Sequence, residues 1–237
     1  STLSSSSAAS DVYKRQRMGL PGIPATAETI ALAQLLLLIE QTGVRAHISQ
    51  ISCRRSVSML RQARESGINV TADTPLANLL YTEDAVTGYN SMYNVQPPLR
   101  SERDRQALLE AVASGELAIS SNHHPHELSA KKAPFSDAES GMSQYDHFFS
   151  HALTLVHKDE LSVDALLRAT STLPAHILGI NQTLIEGSDF NAVLFDPEGD
   201  TLITASTLTS RGHNHPALGK TLKGRISRVF VEGQQLV

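Results

Sequence analysis

The chain has 237 residues, of which 41% are hydrophobic and 19% are charged, a composition typical of one globular domain, alone or with a small appendage. Its net charge of -4 gives no reason to expect a nucleic acid or an anionic membrane as a partner. The single cysteine, Cys53, excludes an internal disulfide and a finger-type thiolate zinc site, and it favours a cytoplasmic location.

The first residues differ in character from the rest of the chain. Residues 1–17 are rich in serine and then mildly basic, and they contain no apolar stretch that would make a signal peptide. We expect this segment to be disordered or foreign to the fold, because residues 10–16 resemble a translated adaptor or assembly junction. On that interpretation, the natural N-terminal part of the protein is missing.

Helical and strand patterns alternate over residues 18–186. The longest apolar run, Ile30–Ile39, is shorter than the roughly 20 residues of a membrane span and predicts a buried helix. Thr26 can cap this helix, and Gly43 ends it. Strands are predicted over 44–51, 68–72 and 117–121, and further helices over 56–66 and 101–114. Such alternation with short joints indicates βα units and a parallel sheet.

A long loop, several helices and a β-rich end follow. Residues 81–99 are irregular and long for a plain connection, which is typical of a functional or gating loop. Helices are expected near 142–157, 162–170 and 174–178. After Gly187, short strands joined by Asp-Pro, Gly-Asp and Glu-Gly turns predict a small β appendage over 187–237.

Three of the predicted strands end close to Gln50, Ala77 and Asn122. In a parallel α/β barrel, the carboxyl ends of the strands form the face where active-site groups collect. An amide oxygen is a neutral and weak donor to zinc, a methyl group offers no donor, and Asn122 cannot take a proton from water. The sequence therefore predicts that the face formed by the carboxyl ends of the strands holds no metal cofactor.

Five motifs in order along the chain resemble those of the dihydroorotases of the amidohydrolase superfamily. They are GLPGIP at 19–24, HISQIS at 47–52, VQPPLR at 95–100, SNHHPH at 121–126 and KAPF at 132–135. The resemblance implies an α/β fold: the second half of a TIM-like (β/α) barrel over 18–186, followed by C-terminal β-sandwich strands over 187–237. It also implies that a first half, with a His-x-His pair and a bridging acidic or carbamylated lysine residue, is absent.

The resemblance assigns family roles to individual positions. Two ligand histidines of the family fall on Gln50 and Ala77, and the aspartate that is both metal ligand and catalytic base falls on Asn122. His126 matches a histidine that contacts the substrate carboxylate, and Gln96 replaces a substrate-contacting asparagine. General-base catalysis alone is worth about 10²–10⁴-fold, so loss of base and metal-bound water would remove most of the acceleration.

Three functional hypotheses follow. Some dihydroorotase-like polypeptides lack the zinc ligands and pair with aspartate carbamoyltransferase as non-catalytic subunits, which implies a structural role in pyrimidine synthesis within a hetero-oligomer. The alternative is an active zinc amidohydrolase with unusual ligands, which acts on dihydroorotate or a related cyclic ureide. The third is a polypeptide without independent function, because half a barrel leaves two strand edges unpaired.

Several side chains admit both a functional and a structural interpretation. Gln50 could act as a substitute ligand, and the histidines at 123, 124 and 126 could form a metal cluster, although their spacing around Pro125 favours hydrogen-bonding roles. His147 and His151 lie at i and i+4 of a predicted helix, and we expect both to face solvent. Cys53 is expected to be a small packed residue, and the lysines at 131–132 a solvated face.

Overall fold

Three short parallel strands alternate with helices in the first part of the structure. The computed structural model describes residues 18–19, 22–180, 184–187 and 190–236, so the segment 1–17, expected to be disordered, lies outside the described residues. The elements are α1 (Ala25–Thr42), β1 (Ala46–Ile48), α2 (Arg54–Glu65), β2 (Val70–Pro75), α3 (Leu76–Leu80), α4 (Glu102–Ala113) and β3 (Ala118–Ser120). The strands pair in the order β1-β2-β3, all parallel, which confirms the predicted βα units.

Burial patterns explain why these segments adopt their structures. In α2, the residues Val57, Leu60 and Ala63 are buried at helical spacing, whereas Arg54 and Arg55 face solvent. The central strand β2 is buried along nearly its whole length, as expected for a parallel strand with neighbours on both edges. One apolar cluster joins these helices and strands to the later helices, with Leu60, Leu108, Leu153 and Leu166 among its fully buried members.

Helix α1 is apolar on more than one side. It buries Leu32, Leu36 and Ile39 against the core, but it also exposes four large apolar side chains. The exposed residues are Ile30, Leu35, Leu37 and Leu38. Among the described residues, no helix combines the length and apolar content needed to cross a bilayer.

Helices α1 and α4 begin in different ways. Helix α1 begins at Ala25 after Pro24 and has no side-chain cap, so the expected capping role of Thr26 is wrong. Pro24 takes the N-cap position in an extended conformation, so the helix starts two residues earlier than a cap at Thr26 would place it. Ser101 does cap α4, because its hydroxyl oxygen accepts a hydrogen bond from the backbone N–H of Asp104.

This difference gives a paired test. We expect Ser101→Ala to lower the free energy of unfolding by about 1 kcal/mol, because the cap of α4 is lost. Thr26→Ala should change it by no more than a few tenths of a kcal/mol, since Thr26 lies inside the first turn and caps nothing. Urea denaturation of the two variants measures the difference, and equal losses would contradict the assignment.

The long loop after α3 is built from short turns rather than from regular structure. It contains two 3₁₀ turns, Glu83–Val86 and Ser91–Tyr93, and a third follows β3 at Leu128–Lys131. Lys131 is only 6% exposed, so the expected solvated role is wrong for this lysine. Its ammonium donates to the backbone carbonyls of Glu139 (2.6 Å) and Asn94 (3.3 Å), and burial lowers its pKa to about 8.

The rest of the chain is a helical segment followed by an antiparallel sheet. The helices are α5 (Phe148–His157), α6 (Val163–Leu167) and α7 (Leu173–Leu178), with a π-helical turn at Arg168–Thr172 between the last two. The sheet contains β4 (Ala192–Leu202), β5 (Thr221–Val231) and β6 (Gln234–Gln235) in that order. The Asp-Pro and Gly-Asp pairs, expected as turns between short strands, lie inside β4, which is one bulged strand that shifts register twice against β5.

The sheet rests on α5 through close contacts. The rings of Phe149 and Phe195 lie 4.6 Å apart between centroids, and the Ser150 hydroxyl donates to the carbonyl of Gly224 (2.6 Å). Gly224 has a positive φ of 93°, and a Cβ there would lie 2.3 Å from a methyl carbon of Leu153. Glycine at this position therefore lets the strand approach the helix.

Candidate functional site

Asp73 joins the carboxyl ends of all three parallel strands. It lies in β2 and is 6% exposed. Its Oδ2 accepts hydrogen bonds from Ser49 Oγ (2.7 Å) and His47 Nε2 (2.9 Å). Its Oδ1 accepts from the Gln50 backbone N–H (3.0 Å) and from Ser120 Oγ (2.5 Å). The carboxylate therefore positions the ends of β1 and β3 as well as its own strand.

Gln50, whose backbone N–H binds this carboxylate, contacts Asn122 through its side chain. Gln50 Nε2 donates to Asn122 Oδ1 (3.0 Å), and Asn122 Nδ2 donates to the backbone oxygen of Gln96 (2.9 Å). Both residues have positive φ angles, 63° for Gln50 and 44° for Asn122. Such backbone costs of order 1–3 kcal/mol each when the residue is not glycine, so the surrounding hydrogen bonds must hold it in place. We call Gln50, Asn122 and Gln96 the amide chain.

Ala77 occupies a different environment from the amide chain. It lies in the first turn of α3, two residues after β2 ends, and it is 3% exposed. Its cluster of buried neighbours consists of Val95, Leu99 and Met142, which are all apolar. Ala77 therefore contributes to apolar packing, and its methyl side chain offers no donor to a metal ion.

These residues do not fit a catalytic zinc ion. Zinc takes nitrogen, thiolate or carboxylate ligands in such sites, and three protein ligands is the usual minimum. The Asn122 amide already accepts from Gln50 and donates to Gln96, and the buried surroundings of Ala77 are apolar. Within the described parts of the chain, no three His, Cys, Asp or Glu side chains are arranged to hold a metal ion.

His123 is held as a neutral ring by the loop that follows β3. Its Nδ1 accepts hydrogen bonds from the backbone N–H groups of Gln144 (3.1 Å) and Tyr145 (3.0 Å), and burial lowers its pKa. The ring hydrogen therefore lies on Nε2, which is 3.3 Å from Ser210 Oγ. In this tautomer His123 cannot take the serine proton, so the pair lacks the arrangement of a nucleophilic serine site.

His126 ties its loop to the C-terminal segment. The ring Nε2 donates to the carbonyl of Ser140 (3.0 Å), and the backbone N–H donates to Asn214 Oδ1 (2.7 Å). Asn214 is fully buried and donates in turn to the carbonyls of His124 (3.0 Å) and Gly141 (3.1 Å). The expected hydrogen-bonding role of His126 is thus confirmed, and its expected contact with a substrate carboxylate stays a prediction.

Two other histidines are buried in a cluster that was not predicted. His151 is 3% exposed and its Nε2 lies 2.7 Å from the Tyr81 hydroxyl, so the expectation that it faces solvent is wrong. Its ring lies 5.2 Å from that of His215, which is 1% exposed. His147 is half-buried and its ring lies 6.1 Å from His215. Helix α5 packs against the C-terminal segment on this side, and burial follows from that packing.

The sequence did not point to Asp73, Asn214 or His215. One feature of the sequence could have indicated Asp73. It is a lone acidic residue in a run of β-branched and apolar residues, and an ionised group in a buried run needs partners. Asn214 and His215 gave no such indication, because their partners lie about 60 or more residues away in the chain. Cys53 is 1% exposed, which confirms that it is a packed residue.

Comparison with solved structures defines the class of protein. An L-hydantoinase (dihydropyrimidinase) from Arthrobacter aurescens matches 90% of this chain with a TM-score of 0.80 and 26% identity. A D-hydantoinase (dihydropyrimidinase) from Thermus sp. matches 95% with a TM-score of 0.79 and 22% identity. An inactive dihydroorotase-like domain of a Chaetomium thermophilum CAD-like multifunctional protein matches 86% with a TM-score of 0.63 and 21% identity. The fold is that of the TIM-barrel amidohydrolases, and the chain covers 49%, 53% and 54% of these structures.

Curated relatives narrow the class to one family. The chain is 45% identical over 218 residues to a dihydroorotase-like protein of Pseudomonas aeruginosa and 44% identical over 218 residues to one of Pseudomonas putida. It is 38% identical over 219 residues to a dihydroorotase of Syntrophus aciditrophicus. These matches cover 91–92% of the chain but 51% of each relative, so the chain spans about half their length. No family model matches. Along most of its length the chain is similar to dihydroorotases and dihydroorotase-like proteins, as its motifs predicted.

Proposed function

We propose that this chain is part of a dihydroorotase-like protein of pyrimidine biosynthesis that has lost metal-dependent hydrolysis and acts as a structural subunit of aspartate carbamoyltransferase. The observation that carries the proposal is the amide chain. Gln50 and Asn122 stand at the strand ends where the family resemblance expects a ligand histidine and a catalytic aspartate. They are hydrogen-bonded to each other rather than left as open donors.

The chemistry of these groups supports the loss of hydrolysis. An amide nitrogen has no available lone pair, and a neutral amide neither balances the charge of a metal ion nor accepts a proton near neutral pH. Asn122 also uses both ends of its amide within the protein. The relatives with 45% and 44% identity bear the name dihydroorotase-like protein, which agrees with a chain that keeps the fold and changes the site.

The loss of hydrolysis can be tested in a chimera of full length, so that the result does not depend on whether half a barrel folds alone. The chimera joins the part of the Syntrophus aciditrophicus dihydroorotase outside the match to residues 18–237 of this chain. We expect no hydrolysis of dihydroorotate above background. The matched control is the same chimera with Gln50→His, Ala77→His and Asn122→Asp, which should bind more zinc per chain and hydrolyse at least about 10²-fold faster. Turnover by the unsubstituted chimera at the rate of the control would contradict the proposal.

A second experiment tests the partner. We expect the full-length protein that carries this sequence to co-purify with the aspartate carbamoyltransferase of the same genome in a fixed ratio. Light scattering after size-exclusion chromatography measures the mass of the complex. Two separate peaks at micromolar concentrations of both proteins would remove the support for a structural subunit.

The second candidate function is that of an active zinc-dependent dihydroorotase or related cyclic amidohydrolase. The observation that favours it is the name dihydroorotase borne by relatives at 38% and 37% identity. In that case the metal would be held largely by residues outside this chain. The unsubstituted chimera would then hydrolyse dihydroorotate, so the same experiment decides between the two functions.

A further inference from the structure

His215 forms a turn in the C-terminal segment through both its ring and its backbone. Its Nδ1 accepts a hydrogen bond from the backbone N–H of Ala217 (3.1 Å), and its carbonyl accepts one from the N–H of Leu218 (3.1 Å). In a neutral imidazole one nitrogen accepts and the other carries the hydrogen, so the hydrogen of His215 lies on Nε2. A second proton can enter only at Nδ1, where it would meet the N–H of Ala217. Protonation of this ring therefore breaks the hydrogen bond that holds the turn.

The ring of His215 is enclosed by other histidines. It is 1% exposed, and its centroid lies 5.2 Å from that of His151 and 6.1 Å from that of His147. Burial, followed by the charge of His147, lowers its pKa to about 4. Within the described residues, Nε2 has no hydrogen-bond partner that could share a positive charge. A charged His215 is therefore unfavourable in this packed position.

Among the described residues, Asp146 is the acid that favours a charge on His215. It raises the pKa of His215, but more weakly than burial and His147 lower it. Its Oδ1 already accepts from the backbone N–H groups of Thr209 (2.9 Å) and Ser210 (3.1 Å). The other titratable groups around the two buried rings bring no negative charge near neutral pH; they are His147 before α5, Lys158 after it, Lys220 in the C-terminal segment and Tyr81 after α3. The surroundings therefore do not compensate for the charge.

Asn214 couples His215 to the loop after β3. Its amide accepts from the N–H of His126 (2.7 Å) and donates to the carbonyl of His124 (3.0 Å). The two segments are also in close contact, since a Cβ at Gly212 would lie 2.4 Å from the backbone nitrogen of His126. A shift of residues 212–215 therefore breaks the contacts that hold the loop at 123–126.

We propose that protonation of His215 in mild acid releases residues 212–218 from α5 and, through Asn214, frees the loop at 123–126, while the parallel sheet and its helices stay folded. This switch goes beyond the proposed function, because it depends neither on hydrolysis nor on a partner. The freed loop carries His126, for which the family resemblance expects a contact with a substrate carboxylate. A ligand contact made by this loop would then be lost in acid.

Proton linkage gives the direction and the size of the effect. An exposed histidine has a pKa near 6.5, above that of the packed ring, so the released form takes up a proton first as the pH falls. The packed form is fully favoured above about pH 6.5 and loses this advantage progressively as the pH falls towards 4. Between pH 7.5 and 5.5, the opening equilibrium should rise about tenfold from His215 alone.

Amide hydrogen exchange of the 237-residue chain measures this opening, followed by NMR from pH 7.5 to 5.5 and corrected for the intrinsic exchange rate. The amides of Ala217 and His126 should lose protection together, by about tenfold or more. The amide of Leu108, inside α4, should stay more protected than either at every pH. Equal protection of all three amides would mean that acid unfolds the whole chain and would overturn the proposal, as would protection of Ala217 that does not change with pH.

Two substitutions at His215 separate the proton from the hydrogen bond. His215→Asn places an acceptor oxygen at the position of Nδ1 and takes up no proton, so the loss of protection at Ala217 should fall below about threefold. His215→Ala removes the acceptor, so Ala217 should be poorly protected at every pH. His157→Gln, at an exposed position of α5, is the matched control and should behave as the unsubstituted chain. A full loss of protection in His215→Asn would contradict a switch at His215.

A measurement on the unsubstituted chain decides the first step even where a variant fails to fold. The nitrogen chemical shifts of the His215 ring should show an unprotonated Nδ1 at pH 7.5, and a hydrogen on Nδ1 would overturn the proposal. Asn214→Ala tests the second step. It should deprotect His126 at pH 7.5 and leave the pH dependence of Ala217 in place, whereas unchanged protection of His126 would break the link between the turn and the loop.

Discussion

Substituting Asp73 by alanine is expected to lower the free energy of unfolding by about 3–4 kcal/mol. The carboxylate is nearly buried and accepts four hydrogen bonds, from the hydroxyls of Ser49 and Ser120, the ring of His47 and the backbone of Gln50. Removing an acceptor leaves each of these donors to find water or to stay unpaired, and a buried unpaired group costs about 1–3 kcal/mol. Because His47 and Ser49 are partly exposed, their donors can bind water in the variant, so the expected loss is smaller than the sum of four such costs.

The measurement is urea denaturation of the full chain, with Asp200→Ala as the matched control. Asp200 pairs with Lys223 on the surface of β4, where both side chains are at least half exposed, and such pairs contribute about 0–1 kcal/mol. We also expect Asp73→Ala to loosen the amide chain, because Gln50 loses the acceptor that holds its backbone. A loss no larger than that of Asp200→Ala would show that Asp73 does not organise the strand ends.

Mild acid, down to about pH 5, is expected to destabilise the protein through its buried histidines. Burial lowers the pKa of His151 to about 3 and that of His215 to about 4, and each ring also repels the charge of a neighbouring histidine. Unfolded histidine has a pKa near 6.5, so the unfolded chain takes up protons first as the pH falls. The stability is therefore complete above about pH 6.5 and is lost progressively as the pH falls towards 4. Between pH 7 and pH 5 we expect a loss of about 2–4 kcal/mol.

Urea midpoints measured at half-unit steps from pH 7.5 to 5 test this expectation. Burial also lowers the pKa values of His123 and His147, so these two rings add to the slope in the same direction. His215→Gln should flatten the dependence on pH, whatever its effect on absolute stability. His157→Gln, at an exposed position of α5, is the control and should leave the slope unchanged. A slope that His215→Gln leaves as steep as before would contradict the role of the buried cluster.

Local patterns predicted most of the elements because they depend on neighbouring residues. Helices were predicted over 56–66 and 101–114, and α2 and α4 occupy Arg54–Glu65 and Glu102–Ala113. The errors arose where another residue overrides the expected role. Pro24, two residues before Thr26, takes the cap position of α1, and packing against the distant C-terminal segment buries His151.

The composition of the candidate site was predictable, but its organisation was not. Gln50 and Asn122 were expected at one edge of the sheet because parallel strands end on the same side, and they lie within hydrogen-bond distance. Nothing in the sequence indicated that Gln96 would join them through its backbone oxygen rather than its side chain. Asp73 was also missed, since its four partners come from the ends of two other strands, β1 and β3.

The order of residues along the chain by itself determined the βα alternation and the similarity to dihydroorotases, and it put Gln50, Ala77 and Asn122 where the family resemblance expects metal ligands. Residue identity decides these properties, because helical spacing and donor chemistry are local. Only the tertiary structure decided what the three side chains contact: the two amides bind each other, and Ala77 packs among apolar side chains. Such contacts depend on which distant segments the fold brings within about 3–4 Å, and no local pattern encodes that distance.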